Sequence, residues 1–173
     1  MKEVSAPNIE CKAWGRAGES ELKVLIQRVT RASVSVNGRV TGEIQRGLLA
    51  LVGVGQGDGC DEVTWLAEKT CSLRIFEDEQ GKMNRSLLDV GGQLLVVSQF
   101  TLLADCRKGR RPAFTDAAPP VLARAMYERF VAEVRRLGVD AQTGIFAASM
   151  QVDLVNDGPV TIMLERKSAG EHA

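Results

Sequence analysis

Histidine is nearly missing from this chain: among 173 residues the only one is His172, beside the C-terminal residue. The usual general base and the commonest metal ligand are therefore lacking from the body of the protein. Any hydrolysis must proceed without an imidazole, which excludes Ser-His-Asp and Cys-His mechanisms. Cysteine is sparse as well. Cys11, Cys60, Cys71 and Cys106 form no C-x-x-C pair, which argues against a zinc site and against a disulfide framework, so no metal or other cofactor is expected. Charge of one sign is not in excess either, because the formal net charge is zero. A global pull on a polyanion is excluded, and any RNA contact has to come from a local patch. Long apolar runs are absent too: the longest, Leu48 to Val54, is far too short to cross a bilayer. No apolar stretch follows the first lysine as a secretory signal requires. Together these absences predict a cytoplasmic protein with no membrane partner.

What is present suits one ordinary folded domain, with 45% hydrophobic and 25% charged residues. A chain of this length buries roughly two thirds of its unfolded surface and needs no staple. Residues 1–21 show no sustained period and are expected to be a disordered extension. The domain is expected over 22–167, with a flexible tail at 168–173. LKVLIQRV and ASVSV read as strands, and Asn37-Gly38 followed by RVTGEI is a hairpin signal, since both residues tolerate positive φ. LLALVGVG, at 48–55, reads as a central strand. Gly57-Asp58-Gly59 breaks the chain, and Asp61 is the expected N-cap of a helix whose inner face carries Val63, Leu66, Ala67, Thr70 and Cys71. Cys71 reads there as a small buried hydrophobe. LRIF, a turn over 77–82 and the strand LLVVSQF at 94–100 follow. A second helix is expected from Pro119-Pro120 to Gly138, with Leu122, Met126, Phe130, Val134 and Leu137 facing the core. SMQVDLV and VTIMLE read as two strands joined by a tight, proline-containing connection. The fold class expected is α+β: a single domain with a curved, largely antiparallel, barrel-like sheet and two main helices.

Three segments stand out as more than scaffold. Ser98-Gln99-Phe100-Thr101 ends a buried strand, and Asn156-Asp157-Gly158-Pro159-Val160-Thr161 sits at a strand junction. Arg107, Lys108, Arg110 and Arg111 form a basic cluster beside Asp105. Taken singly, the first two have a turn or a cap as their alternative and the third a solvated loop.

Together, SQFTL (98–102) and NDGPVT (156–161) resemble the two signature motifs of the D-aminoacyl-tRNA deacylases. The resemblance extends over roughly 22–165 through QRVTRASV, QGKMNRS at 80–86, ADCRKGRRPAFTDAAPP at 104–120 and GIFAASM at 144–150. It implies the DTD-like fold and a hydrolase that cuts the ester between tRNA and a D-amino acid, or glycine mischarged on alanine tRNA, while rejecting L-amino acids. It also implies a homodimer with the active site at the subunit interface, where Gly158-Pro159, joined by a cis peptide bond, enters the partner's pocket. Glycine at that place lets a second backbone approach closely. Arg28 matches an arginine that packs on this wall, with a surface ion pair as the alternative reading. The strand end implies backbone N–H donors at Phe100 and Thr101 for the ester oxygen. Thr101 carries a hydroxyl in position to be a nucleophile, but no base to activate it. The family instead uses the 2′-hydroxyl of the terminal adenosine to assist water. Gln99 would orient main chain or ribose, or else be a satisfied half-buried amide. Phe146 and Met150 match positions that cradle the adenosine, one helical turn apart if the segment is helical. GIFAASM departs from the commoner GxFGADM pattern at Ala147 and Ser149, which puts the local backbone in question. The basic loop becomes a contact for acceptor-stem phosphates, which position RNA without reading sequence. Two other readings stay open: a nucleic-acid-binding module of the same fold without hydrolase activity, and an editing domain working in trans with a synthetase.

Overall fold

The computed structural model describes residues 22–166; the expectations for 1–21 and 168–173, and the single histidine, lie outside the described residues. Strand β1 (Lys23–Val36) organises the sheet. Along one edge it pairs antiparallel with β3 (Gly47–Gly53) through Lys23–Val29, and with β2 (Arg39–Ile44) through Ala32–Val36. Along the other edge it pairs antiparallel with β8 (Gln151–Glu165). Beyond β3 the order continues in parallel through β6 (Gln93–Ser98) and β7 (Ala141–Thr143). Gly42 of β2 lies so close to β7 that a Cβ there would be 2.7 Å from the Thr143 carbonyl oxygen, so the sheet curls nearly into a barrel. The α+β, barrel-like architecture with two helices is as expected, and the sheet is mixed because β6 and β7 join in parallel.

The β1–β2 hairpin turns on Asn37 and Gly38 at φ 51° and 75°, the paired positive values that a type I′ turn requires. β3 and β6 are apolar without alternation because both of their faces are buried. Leu48, Ala50, Val52, Leu94 and Val96 face the helices, while Leu49, Leu95 and Val97 face a second cluster with Val29, Val34 and Ile44. Helices α1 (Cys60–Ser72) and α2 (Pro120–Arg136) cover the first cluster. Val63, Leu66, Ala67, Thr70 and Cys71 of α1 are buried, as are Leu122, Met126, Phe130 and Val134 of α2.

Several local expectations are corrected. The cap of α1 is Gly59, whose N–H donates to the Glu62 carboxylate at 3.1 Å. Asp61 stands inside the first turn, where its charge suits the helix dipole. The buried carboxylate nearby belongs to Asp58, which accepts the Leu22 and Gly55 N–H groups at 2.8 and 2.5 Å. LKVLIQRV and ASVSV are one strand, because β8 pairs across the exposed Thr30 and Arg31 that divide them in sequence. QVDLV, from Gln151 on, and VTIMLE likewise belong to the single strand β8, while Ser149 and Met150 precede it. LRIF supplies only Phe76 to a short hairpin of β4 (Phe76–Glu77) with β5 (Met83–Arg85). Cys60 is disulfide-bonded, which the cysteine spacing did not announce.

Candidate active site

At the C-terminal ends of the parallel strands β3 and β6 the chain leaves the sheet, and a cleft of about 500 Å³ opens there. Ser98, Gln99 and Phe100 form one side, Ala117, Ala118 and Pro120 another, and Phe146, Ala147 and Met150 a third, with Tyr127 between them. Among the described residues no charged side chain lines it. Gln99 closes the ladder by donating its N–H to the Val52 carbonyl at 2.7 Å. Phe100–Leu103 then form a single 3-10 turn. Phe100 and Thr101 open that turn, so their N–H groups precede its first donor, the Leu102 N–H that bonds the Gln99 carbonyl at 3.3 Å, and are left for other partners. The Gln99 side-chain amide donates to the Thr101 hydroxyl oxygen. Tyr127 donates its hydroxyl to the Val96 carbonyl at 2.8 Å, and burial pushes its pKa up to about 12. The phenol is therefore a fixed wall and no base near neutral pH.

Residues 144–150 are a turn and not a helix, so Phe146 and Met150 both reach the cleft from an irregular segment. Ala147 has φ 62°, a left-handed conformation that glycine adopts without cost. This is the position where the commoner pattern has glycine, and the alanine keeps the conformation.

The second motif lies elsewhere. In the β1–β8 ladder Gln27 faces Thr161 and Val29 faces Asn156, so residues 157–160 bulge out opposite the single residue Arg28. Asn156 closes the base of this projection, its amide donating to the Arg28 and Val160 carbonyls at 3.0 Å each. Gly158-Pro159 is cis, and both residues are exposed at the tip. Arg28, only 4% exposed, holds the projection from below. Its Nε donates to the Asp157 carbonyl at 3.2 Å and pairs with the Asp157 carboxylate at 3.1 Å, while Nη1 donates to the Ile75 carbonyl at 2.6 Å. Glu77 stands 3.9 Å from Nη2. Arg28 is thus buried, and its guanidinium combines carbonyl contacts with ion pairs to the partly exposed Asp157 and Glu77.

The structure thus brings Ser98, Gln99, Phe100, Phe146 and Met150 around one cleft, with Thr101 adjacent, and keeps Arg28, Gly158 and Pro159 apart from it. In the basic loop, Asp105 accepts three hydrogen bonds from Arg107 at 2.8–2.9 Å, which hold the carboxyl down at about 2. Lys108, Arg110 and Arg111 remain exposed beside it. Sequence reasoning missed Tyr127 and the Ala117-Ala118 wall. The lone tyrosine of the chain lies next to Met126 in the apolar stripe and was legible only as core. No group of three or more His, Cys, Asp or Glu side chains able to hold a metal is found among the described residues.

Comparison with known proteins agrees with this geometry. A family described as D-Tyr-tRNA(Tyr) deacylase matches residues 25–165. The D-aminoacyl-tRNA deacylase of Fervidobacterium nodosum is 55% identical over 146 residues, covering 84% of this chain and 98% of the relative. That of Heliobacterium modesticaldum is 60% identical over 144 residues, covering 83% and 96%. A solved structure described as c-Myc DNA Unwinding Element Binding Protein superimposes with a TM-score of 0.79 at 41% identity, covering 83% of this chain and 98% of its own. Another, described as a probable eukaryotic D-amino acid tRNA deacylase, shares the fold at a TM-score of 0.74 and 19% identity, covering 84% and 100%. With a family model matching residues 25–165 and relatives 55–60% identical over more than four fifths of its length, the chain belongs to the D-aminoacyl-tRNA deacylase family.

Proposed function

We propose that residues 22–167 hydrolyse D-aminoacyl-tRNA by backbone and substrate groups, the cleft supplying shape and hydrogen-bond donors and no acid–base side chain. One observation carries this reading: residues distant in sequence, Ser98–Phe100 and Phe146–Met150, meet around one uncharged cleft whose polar end is the start of a 3-10 turn. The terminal adenosine lies between Phe146 and Met150, and the ester carbonyl points at the Phe100 and Thr101 N–H groups. Donors so placed gain strength as the oxygen becomes an oxyanion, and one of them is typically worth about 3 kcal/mol. Water attacks the carbonyl carbon with help from the ribose 2′-hydroxyl. Thr101 has its oxygen engaged by Gln99, and among the described residues no imidazole or carboxylate lines the cleft to take its proton, so it is not the nucleophile. Lys108, Arg110 and Arg111, with Arg107 held by Asp105, contact acceptor-stem phosphates.

Gly158-Pro159 does not line its own chain's cleft. In a homodimer it enters the partner's, presenting a main-chain wall that rejects an L-side chain by overlap. A D-side chain points outward, and glycine, as on mischarged alanine tRNA, has nothing to exclude. The enzyme works in the cytoplasm, where aminoacyl-tRNA is found. The experiment is to compare D-Tyr-tRNA, L-Tyr-tRNA and D-Tyr-tRNA ending in 2′-deoxyadenosine. Only the first is expected to be cut at an appreciable rate. Equal cleavage of the L-ester refutes the chiral wall, and rapid cleavage of the 2′-deoxy ester refutes the substrate-assisted step.

A further inference from the structure

The deacylase reading puts a nucleotide into a cleft with no charged wall, yet an adenosine at the end of tRNA brings a 5′ phosphodiester with it. That negative charge has to meet a donor at the rim. On α2, Ala123 and Tyr127 line the cleft, and Arg124 stands beside Ala123 on the exposed side of the same turn. Its guanidinium lies 5.1 Å from the centroid of the Phe146 ring. Tyr127 lies against the same ring in a tilted contact, at a centroid distance of 5.9 Å. Among the described residues Arg124 makes no ion pair or hydrogen bond, so its partner is the Phe146 ring, in a cation–π contact, and its N–H donors remain open. Such a guanidinium is pre-organised to take a phosphate in a forked, charge-assisted contact.

We propose that Arg124 binds the phosphodiester 5′ to the terminal nucleoside, using Phe146 as a shared platform: the ring meets the base and orients the arginine that meets the phosphate. This rests on the deacylase reading and adds a binding residue to it. Arg124 does not touch the ester, so its contribution is to affinity, and it reads no base, in keeping with service to many tRNAs.

The test compares wild type, Arg124→Ala and Arg124→Lys on three esters: D-Tyr-tRNA, D-tyrosyl-adenosine 5′-phosphate and D-tyrosyl-adenosine. For Arg124→Ala, KM on the two phosphate-bearing esters is expected to rise roughly tenfold, the range of one charge-assisted hydrogen bond, with kcat nearly unchanged. KM on the bare nucleoside ester stays at the wild-type value. On D-Tyr-tRNA the slope of log KM against log salt falls by about 0.7, one phosphate contact to a single strand. Arg124→Lys keeps the charge and recovers part of the loss. An equal loss on all three esters means that Arg124 only props Phe146, and no loss on any means that it meets no substrate group; either overturns the proposal. Wild-type enzyme that leaves all three esters uncut overturns the deacylase reading, and this proposal with it.

Discussion

Arg28 and Gly158 are two halves of one device. The ladder between β1 and β8 breaks at Arg28, and the broken backbone is tied down by that side chain and by Asn156. Gly158 has φ 123°, and a Cβ there would be 2.9 Å from Arg28 Nη2 and 2.9 Å from Val160 Cγ2. Gly158→Ala therefore cannot be absorbed without moving the clamp or the tip. A stability loss of about 1 kcal/mol or more is expected from the backbone conformation alone, with a larger fall in D-Tyr-tRNA hydrolysis. Urea midpoints and single-turnover rates check the two effects separately. Thr101→Ala has the opposite expectation. It deletes the hydroxyl that Gln99 engages but keeps both N–H donors, so single-turnover hydrolysis of D-Tyr-tRNA is retained within a few-fold of wild type. A trapped acyl-Thr101 intermediate refutes the backbone scheme.

At the scale of elements, the segment after β7 shows a cleft wall built on a conformation its residue does not favour. Ala147 at φ 62° carries a cost of about 1–2 kcal/mol for an L-residue, partly offset because glycine in its place loses more backbone entropy, about 0.5–1 kcal/mol. Ala147→Gly is expected to stabilise the protein by up to about 1 kcal/mol, seen as a rise of about 2–4 °C in Tm for a domain of this size. Phe146 and Met150 should keep their places, so hydrolysis is unchanged. Helix α2 supplies the opposite wall, and its seat in the core is what keeps Tyr127 and Ala123 at the cleft. Phe130, wholly buried among the helices and sheet, is expected to cost about 3–5 kcal/mol as Phe130→Ala, measured by denaturant unfolding.

Two properties belong to the whole molecule. Cys71 and Tyr127 are buried acids, each pushed up to about 12 mainly by burial. A group whose folded pKa is raised holds its proton more tightly when folded. Its stabilising effect is thus intact below the unfolded value, about 8.5 for a thiol and about 10 for a phenol, and is lost as pH rises from there toward 12. Urea midpoints should be flat near neutrality and fall above pH ~9, with a shallower early decline in Cys71→Ala. The second follows from the proposed division of the site between two copies. A Gly158→Ala chain keeps its cleft and a Phe146→Ala chain keeps its projection, so mixing the two inactive variants should restore activity to about one quarter of wild type, by random pairing in a two-fold dimer. Mixtures as inactive as their parents refute a cleft completed by the partner.

Much of this was legible in the residues alone. The Asn37-Gly38 hairpin, the buried faces of both helices and the apolar runs of β3 and β6 are local matters of turn chemistry and periodicity. The two motifs, SQFTL and NDGPVT, likewise pointed to the deacylase family before any geometry. Long-range pairing decided the rest. Thr30–Arg31 and Asn156–Pro159 read as breaks because local pattern carries no information about the strand that lies alongside, and β1 and β8 run on through those breaks only because each supplies the other's hydrogen-bond partners. The cap of α1 followed the same logic, since Asp58 is spent on Leu22 and Gly55 and leaves the helix to Gly59. That Arg28 lies beneath Gly158, and that Tyr127 and Arg124 both contact Phe146, depends on where the curled sheet places residues far apart in the chain. Spacing in sequence does not encode such proximity; the burial of a common core does.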